Sequence, residues 1–223
     1  MKVSIVIPVL NEAEHIADTL ESLSEYRNQG HEIIVVDGGS VDNTVPISGP
    51  YADKLVHSDA GRATQMNRGI DVAQGDVLLF LHADTRLPDD AMSKAVSAIE
   101  NGSFWGRFNV RLSGGFFIFR IIESMMNLRS CVTGVATGDQ AIFVSRECIE
   151  IVGGYPRLPL MEDVVFSKQL RTLGRPACIA SRAITSSRRW EEQGVMRTML
   201  LMWRLRLLFF IGVPADKLEK HYR

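Results

Sequence analysis

A histidine and an aspartate, His82 and Asp84, directly follow the apolar run of residues 77–80. The run is typical of a fully buried strand, so the polar pair lies where that strand ends. In open α/β sheets, ligands bind in the crevice at the carboxyl ends of the strands. A carboxylate and an imidazole two positions apart can hold a divalent cation, and Mn²⁺ accepts imidazole nitrogen as well as oxygen. The pair therefore predicts a metal that carries a diphosphate, with capping of the next turn by Asp84 as the structural alternative.

A second polar cluster, residues 37–44, follows the predicted strand 32–36. Asp37 could accept hydrogen bonds from a base or a ribose, and glycines such as Gly39 let the backbone approach a ligand closely. The hydroxyl residues of the cluster are better explained by turn and cap formation. The sequence has neither the Gly-x-Gly-x-x-Gly fingerprint nor the phosphate-loop signature, which argues against a dinucleotide oxidoreductase and a phosphate-loop kinase.

The strands and helices around these clusters position them in the fold, and the apolar pattern of the sequence predicts these elements. In the first half the pattern predicts strands over 3–10, 32–36, 54–57 and 77–80, and helices over 14–26 and 62–73. In the second half it predicts strands over 105–112 and 140–144, and helices over 116–129 and 163–173. The rhythm predicts an α/β fold with a mostly parallel central sheet flanked by helices.

Length and composition favour one globular domain of 223 residues, with 46% hydrophobic and 23% charged residues. The net charge of −1 gives no reason to expect a nucleic-acid partner. Three widely spaced cysteines form no zinc or redox pattern, so we expect a reducing, cytoplasmic location. The N-terminus has no signal-peptide pattern.

Residues 195–213 need separate consideration because 14 of these 19 residues are apolar. The stretch also contains Arg197, Arg204 and Arg206. A central arginine costs about 2.5–3.5 kcal/mol on membrane insertion, whereas a good apolar residue contributes only about 0.3–0.6 kcal/mol, so a transmembrane span is disfavoured. A core helix and a helix that lies on a membrane surface both remain open. The basic balance from residue 188 to the end, eight Lys/Arg against four Asp/Glu, suits an anionic partner.

Five segments resemble, in type and order, the motifs of the family 2 glycosyltransferases, whose catalytic domain has the GT-A fold. They are residues 5–12, 35–44, 80–84, 161–163 and 187–190. Residues 61–67, the His-Ala-Asp variant and the Arg-Arg-Trp segment are similar to a small bacterial branch described as arsenosugar-biosynthesis-type. The resemblance implies one GT-A domain over 1–223. Its parts would be a nucleotide-sugar half (1–112), an acceptor half (113–194) and a C-terminal amphipathic helix and tail (195–223).

The resemblance also implies a donor site. Asp37 would contact the uracil or ribose, and further donor-site residues would be Pro8, Asn11, Glu12, Gly39, Arg62, Gln65 and Asn67. For Arg62, Gln65 and Asn67 a solvated helix face is the alternative. Asp84 would take the metal-binding place of the family's Asp-x-Asp, whereas His82 stands where the first aspartate is usual. Imidazole is a poor ligand for Mg²⁺, so this departure favours Mn²⁺ or a contact of His82 with phosphate or sugar.

The later motifs would carry the catalysis. Asp163 would be the general base, and Glu162 would support the acceptor or orient Asp163. Arg188 and Arg189 would hold the leaving diphosphate, and Trp190 would form a stacking wall. The structural alternatives are helix N-terminal charge for the acidic pair, and a basic surface pair beside a core tryptophan.

These features and the resemblance imply a metal-dependent glycosyltransferase with Mn²⁺ or Mg²⁺, and the family pattern implies that it inverts the anomeric carbon. It would move a sugar from a nucleotide donor, expected to be UDP-linked, to a hydroxyl of a small-molecule or lipid-linked acceptor. Peripheral contact with the inner face of the membrane through 195–213 and pairing of two chains are left open. The alternatives are a sugar nucleotidyltransferase and a non-catalytic nucleotide-sugar-binding protein at the membrane surface.

Overall fold

The computed structural model describes residues 1–222, which contain eight strands and eleven α-helices. The strands are β1 (Val3–Val9), β2 (Glu32–Asp37), β3 (Lys54–His57), β4 (Val77–Phe80), β5 (Thr85–Arg86), β6 (Trp105–Leu112), β7 (Phe143–Ser145) and β8 (Ala177–Thr185). The helices are α1 (Ile16–Ser22), α2 (Ser24–Asn28), α3 (Thr44–Ser48), α4 (Arg62–Val72), α5 (Ala91–Glu100), α6 (Phe117–Thr133), α7 (Arg146–Val152), α8 (Glu162–Arg171), α9 (Arg188–Gln193), α10 (Val195–Phe210) and α11 (Ala215–Tyr222).

All eight strands form one sheet in the order β3-β2-β1-β4-β7-β6-β8-β5. The strands of the first half, β3 to β4, are parallel, and β6 is parallel to β8. Antiparallel pairing occurs on both sides of β7 and between β5 and β8. The predicted α/β class is confirmed, with a sheet that is parallel from β3 to β4 and mixed beyond β4.

The central strands are apolar throughout because the sheet is covered on both faces. Along β1, Ile5 and Ile7 pack with Leu20 of α1, whereas Val6 between them packs with Met66 of α4 on the other face. Helix α4 approaches this second face closely at Gly69, where a Cβ would lie 2.2 Å from Val6 Cγ1.

Most predicted elements are present, with shifted ends. The helix predicted over 14–26 is divided into α1 and α2, and α6 continues four residues beyond the predicted 129. The strand predicted over 140–144 begins only at 143, because Gly138–Gln140 form a 3₁₀ turn with a capping box between Thr137 and Gln140.

The expectation of three reduced cysteines is wrong. Cys131 at the end of α6 and Cys178 at the start of β8 form a disulfide, although 47 positions separate them. Cys148 is free and buried. The fold brings the two bonded residues together with their Cα atoms 5.9 Å apart, a distance that sequence spacing could not reveal.

Helix α10 covers most of the apolar segment 195–213, and its buried residues include Leu205. Within residues 1–222, no helix is long and apolar enough to cross a membrane.

Candidate active site

One cavity of about 680 Å³ opens at the carboxyl ends of β1 and β4 and extends between helices α6, α8, α9 and α10. It brings together ten of the residues that the sequence singled out. They are Pro8, Glu12, Arg62, His82, Asp84, Glu162, Asp163, Arg188, Arg189 and Trp190. The edge of the sheet where parallel strands end is therefore the place where the polar motifs converge.

Asp37 is buried and is not among the residues that line this cavity. Its buried carboxylate accepts hydrogen bonds from the backbone N–H groups of Gly39 and Ser40, each at 3.1 Å, and lies 3.2 Å from His57 Nδ1. Burial alone would raise the pKa of Asp37, but the hydrogen bonds from Ser40 and Gly39 lower it below its usual range. Gly39 has a φ of +93°, which glycine adopts without strain. Both residues thus shape the loop after β2.

Asn11 also lies outside the cavity and joins the loops after β1 and β2. Its φ is +55°, its N–H donates to Ser40 Oγ, and its Oδ1 accepts from the N–H of Val41. The N–H of the next residue, Glu12, donates to Thr44 Oγ1. These bonds present Glu12 to the cavity.

Gln65 and Asn67 do not line the cavity, and the expectation that they reach the nucleotide stays a prediction. Gln65 Nε2 donates to the carbonyl oxygens of Val9 and Val36, where β1 and β2 end. The side chain of Asn67 both donates to and accepts from the backbone of Tyr155. Their amides are already hydrogen-bonded, so they position strands and loops.

His82 is held on both sides of its ring. Its Nδ1 lies 3.3 Å from Asp139 Oδ1, and a Cβ at Gly138 would lie 2.2 Å from its Nε2. This Nε2 is buried and has no hydrogen-bond partner among residues 1–222. Burial would raise the pKa of Asp139, but the contact with His82 lowers it. The ring thus lines the cavity while it packs closely against Gly138.

Asp84 and Glu12 bring two carboxylates from neighbouring strand ends to one region of the cavity. The pKa of Glu12 is raised, first by burial and then by the charge of Asp84, while Arg188 acts in the opposite direction. Two carboxylates and the Arg188 guanidinium therefore share this end of the cavity, and the carboxylates suit a cation.

Glu162 and Asp163 begin helix α8, after Met161 at a φ of +66°. Glu162 forms an ion pair with Arg62 at 3.4 Å, but burial and the neighbouring Asp163 still raise the pKa of Glu162. Asp163 Oδ2 accepts from the N–H of Gly138 at 3.0 Å, and its Oδ1 accepts from the N–H of Val164 at 2.7 Å. These bonds fix the carboxylate while leaving lone pairs on both oxygens.

The Arg-Arg-Trp segment opens helix α9, but its two arginines have different surroundings. Arg188 is half-exposed, with Nη1 2.6 Å from His15 Nε2. Arg189 stacks on the ring of Tyr222, 3.8 Å from its centroid, and donates to the Tyr222 carbonyl oxygen. Trp190 packs against a small apolar cluster that includes Ile122. Arg188 is thus the more available of the two arginines for a phosphate.

Helices α6, α8 and α10 give the far half of the cavity an apolar wall. Its apolar side chains are Leu112, Ile122, Met125, Met126, Leu160, Met161, Val164, Met199, Met202 and Trp203. Five of the chain's nine methionines are among them. The sequence motifs marked only the polar half, and the apolar half was missed because it is assembled from helices far apart in the chain.

Comparison with known proteins identifies the family. The model of "Glycosyl transferase family 2" matches residues 4–144, more than half of the chain. The chain belongs to this family. A PGL/p-HBAD biosynthesis glycosyltransferase of Mycobacterium bovis is 38% identical to this glycosyltransferase over 194 residues, covering 79% of this chain and 71% of the relative. A dolichol-phosphate mannosyltransferase of Pyrococcus furiosus is 33% identical over 183 residues, which cover 78% of this chain but only 50% of that protein.

Solved structures confirm the GT-A fold predicted for this glycosyltransferase. S. aureus TarS 1-349 in complex with UDP-GlcNAc matches with a TM-score of 0.68 and 20% identity, over 83% of this chain and 58% of that one. Glucosyl-3-phosphoglycerate synthase from Mycobacterium tuberculosis, in complex with Mn²⁺, UDP and phosphoglyceric acid, matches with a TM-score of 0.64 and 20% identity. That match covers 96% of this chain and 79% of the synthase. At such identities the likeness concerns the fold alone.

The residues of this glycosyltransferase fit a divalent cation only in part. No group of three His, Cys, Asp or Glu side chains that could hold a metal occurs in the described part of the chain. Asp84 faces the cavity with the raised-pKa carboxyl of Glu12 nearby and supplies the hard oxygen that Mg²⁺ and Mn²⁺ prefer. The Nδ1 of His82 already contacts Asp139, so its Nε2, which packs on Gly138, is the nitrogen left for a ligand. A bound diphosphate would have to complete the ligand set.

Proposed function

We propose that this glycosyltransferase transfers a sugar from a UDP-sugar to an acceptor hydroxyl, with inversion at the anomeric carbon. The observation that carries the proposal is a cavity that is lined both by acidic and basic groups at the strand ends and by Asp163. The structural likeness to a transferase in complex with UDP-GlcNAc supports the choice of donor.

The donor diphosphate binds at the end of the cavity that contains Asp84, Glu12 and Arg188. Asp84 would hold a divalent cation, which supplies charge neutralisation of the leaving diphosphate when it is bound. Arg188 adds a guanidinium that can donate two parallel hydrogen bonds to phosphate oxygens. Asp37 and Asn11 fix the loops after β1 and β2, and their direct contact with the nucleotide stays a prediction.

Asp163 acts as the general base. The acceptor oxygen attacks the anomeric carbon, the bond from that carbon to the diphosphate oxygen breaks, and the hydroxyl proton passes to Asp163. UDP leaves with the bonding electron pair. One displacement requires one base, and the Gly138 N–H and the Val164 N–H hold Asp163 in place for it.

Calorimetry of UDP binding tests the donor site. Titrations with Mg²⁺, with Mn²⁺ and with EDTA compare the wild type with Asp84→Ala, and Asp71→Ala is the matched control because Asp71 is exposed on α4. We expect cation-dependent binding that is lost in Asp84→Ala and unchanged in Asp71→Ala. Absence of UDP binding under every condition would contradict the assignment of the donor.

A second prediction concerns His82. If His82 packs against Gly138 and does not bind the metal, His82→Gln should weaken cation-dependent UDP binding less than Asp84→Ala does. An equal loss in the two variants would restore His82 as a metal ligand.

A further inference from the structure

Two arginines face the apolar half of the cavity from opposite walls. Arg129 lies on α6 and Arg206 on α10, and both line the cavity. Neither forms an ion pair within 4.0 Å anywhere in residues 1–222, and the buried Nη2 of Arg129 has no hydrogen-bond partner there. Two cations thus share a largely buried space without a neutralising contact.

The electrostatics agree with this geometry. The pKa of Arg129 is lowered to about 10, first by burial and then by the charge of Arg206. Burial likewise lowers the pKa of Arg206, and Asp163 partly offsets the effect on both residues. A half-buried guanidinium without an ion-pair partner is costly for the fold, so a ligand that brings negative charge would be favoured here. A guanidinium matches phosphate oxygens in shape and charge.

An exposed apolar surface continues outward from these arginines. On α6 it consists of Ile118, Ile121, Met125, Leu128 and Val132, and on α10 of Met196, Leu200, Trp203, Leu207 and Phe210. Both sets repeat at intervals of three and four residues, so each forms one stripe along its helix. The stripes are well exposed, with Val132 71% and Phe210 80% accessible. Met125 and Trp203 belong both to the stripes and to the cavity wall.

Charge around the stripes favours a lipid over a second copy of the chain. Arg197 and Arg204 are exposed on α10, the same helix that carries the apolar stripe. A helix with arginine on its polar face and Trp, Phe and Leu on the other is suited to an anionic membrane surface. Two copies that met through this face would instead bring like charges together.

We propose that the acceptor is an amphiphile whose phosphate binds between Arg129 and Arg206 and whose apolar chain lies along the stripes of α6 and α10. This inference rests on the proposed function, since it names the class of acceptor for the same cavity. The hydroxyl that receives the sugar is carried beside the phosphate. It then lies next to Asp163, which is close enough to influence both arginines.

Binding of n-octyl phosphate tests the proposal, with n-octanol and inorganic phosphate as its separate halves. Trp190 and Trp203 line the cavity, so tryptophan fluorescence reports occupancy. We expect n-octyl phosphate to bind at least about tenfold more tightly than either half, because both the charge and the chain contribute. If n-octanol binds as tightly as n-octyl phosphate, the arginines do not recognise the phosphate. If inorganic phosphate binds as tightly as n-octyl phosphate, the apolar chain does not contribute and the lipid proposal is wrong.

Variants then locate the site. Arg129→Gln and Arg206→Gln should each weaken binding of n-octyl phosphate roughly tenfold or more. Arg129→Lys, which retains the charge, provides a second readout if the glutamine variant does not fold. Arg204→Gln is the matched control because Arg204 is exposed on the same helix and does not line the cavity. An equal loss in Arg204→Gln would indicate general surface charge and overturn the proposal.

Two parallel measurements complete the test. UDP affinity should be the same in all these variants. If the wild type binds n-octyl phosphate but no UDP, the proposed function is contradicted while the phosphate site is still supported. Sedimentation should show a monomer over the concentration range used. A dimer that dissociates when n-octanol is added would assign the stripes to a second copy and overturn the lipid proposal.

Discussion

The N–H of Gly138 donates a hydrogen bond to Asp163 Oδ2 across 3.0 Å, and the ring of His82 lies against the same glycine. One residue thus connects the strand end that presents Asp84 with the helix that presents the proposed base. This contact explains why the two halves of the cavity can be held at a fixed separation, although they come from segments about eighty residues apart.

Gly138→Ala tests this connection. The new Cβ would lie 2.2 Å from His82 Nε2 and 2.5 Å from its Cε1, so either the ring or the turn must move. A displacement of about 1 Å at a catalytic group can cost about 100-fold in rate, and we expect a loss of that order in steady-state turnover. Gly115→Ala is the control because a Cβ there meets no atom within 4 Å. Equal turnover in the two variants would argue against a positioning role for Gly138.

Asp163→Asn should abolish most of the activity without loss of the donor. The amide retains the size of the carboxylate but cannot take the acceptor proton, so we expect kcat to fall by about 10²–10⁴. UDP affinity, measured by calorimetry, should change little, because Asp163 is proposed to contact the acceptor hydroxyl and not the diphosphate. A non-catalytic binding protein would show no such separation between turnover and binding.

Glu32 should control the acid stability of the sheet. Its buried carboxylate accepts from Ser4 Oγ and the N–H of Gln74, and pairs with Lys54 at 2.7 Å. Burial alone would raise its pKa, but these partners lower the pKa below the usual value. A lowered folded-state pKa contributes stability above the unfolded pKa, and this contribution is lost as the pH falls through the folded value.

Glu32→Gln should therefore lower the free energy of unfolding at neutral pH by about 3–5 kcal/mol, because it leaves the partly buried Lys54 without its partner. The difference from the wild type should shrink as the pH falls below about 4. Urea unfolding at several pH values measures both quantities. A difference that stayed constant down to acid pH would contradict the lowered pKa.

The disulfide between Cys131 and Cys178 should stabilise the fold. A loop closed over 47 positions corresponds to about 4 kcal/mol in the chain-entropy estimate. Cys131→Ser should lower the melting temperature, and dithiothreitol should lower that of the wild type to the same level. Dithiothreitol added to the variant is the control, and a further decrease there would point to some other reducible group.

The strands of the first half were predictable because each is a short apolar run ended by polar residues. β8 was not, because only Ala183 and Thr185 within it are buried and the strand also contains Ser181 and Arg182. Its pairing with β6 and β5 gives it a place in the sheet that no local pattern indicates. Tertiary context decides such half-exposed strands.

The candidate site was predictable where a motif directly follows a strand, as for Asp84. Helical spacing placed Gln65 and Asn67 on α4 but could not say whether their amides reach a ligand or the backbone of the fold. Arg129 was missed for a related reason. Its role depends on Arg206 of α10, which lies 77 positions further along the chain and faces it only in the folded molecule.

The five methionines of the cavity wall affect which acceptors can bind and how the site responds to oxidation. Thioether side chains are flexible and polarisable, so this wall can repack around chains of different length and branching. The donor end, fixed by hydrogen bonds in its loops, has no such freedom, so we expect broad tolerance for acceptors beside strict choice of the nucleotide. Oxidation to the sulfoxide makes the same wall polar. Peroxide should therefore reduce acceptor affinity first and leave the nucleotide affinity largely intact.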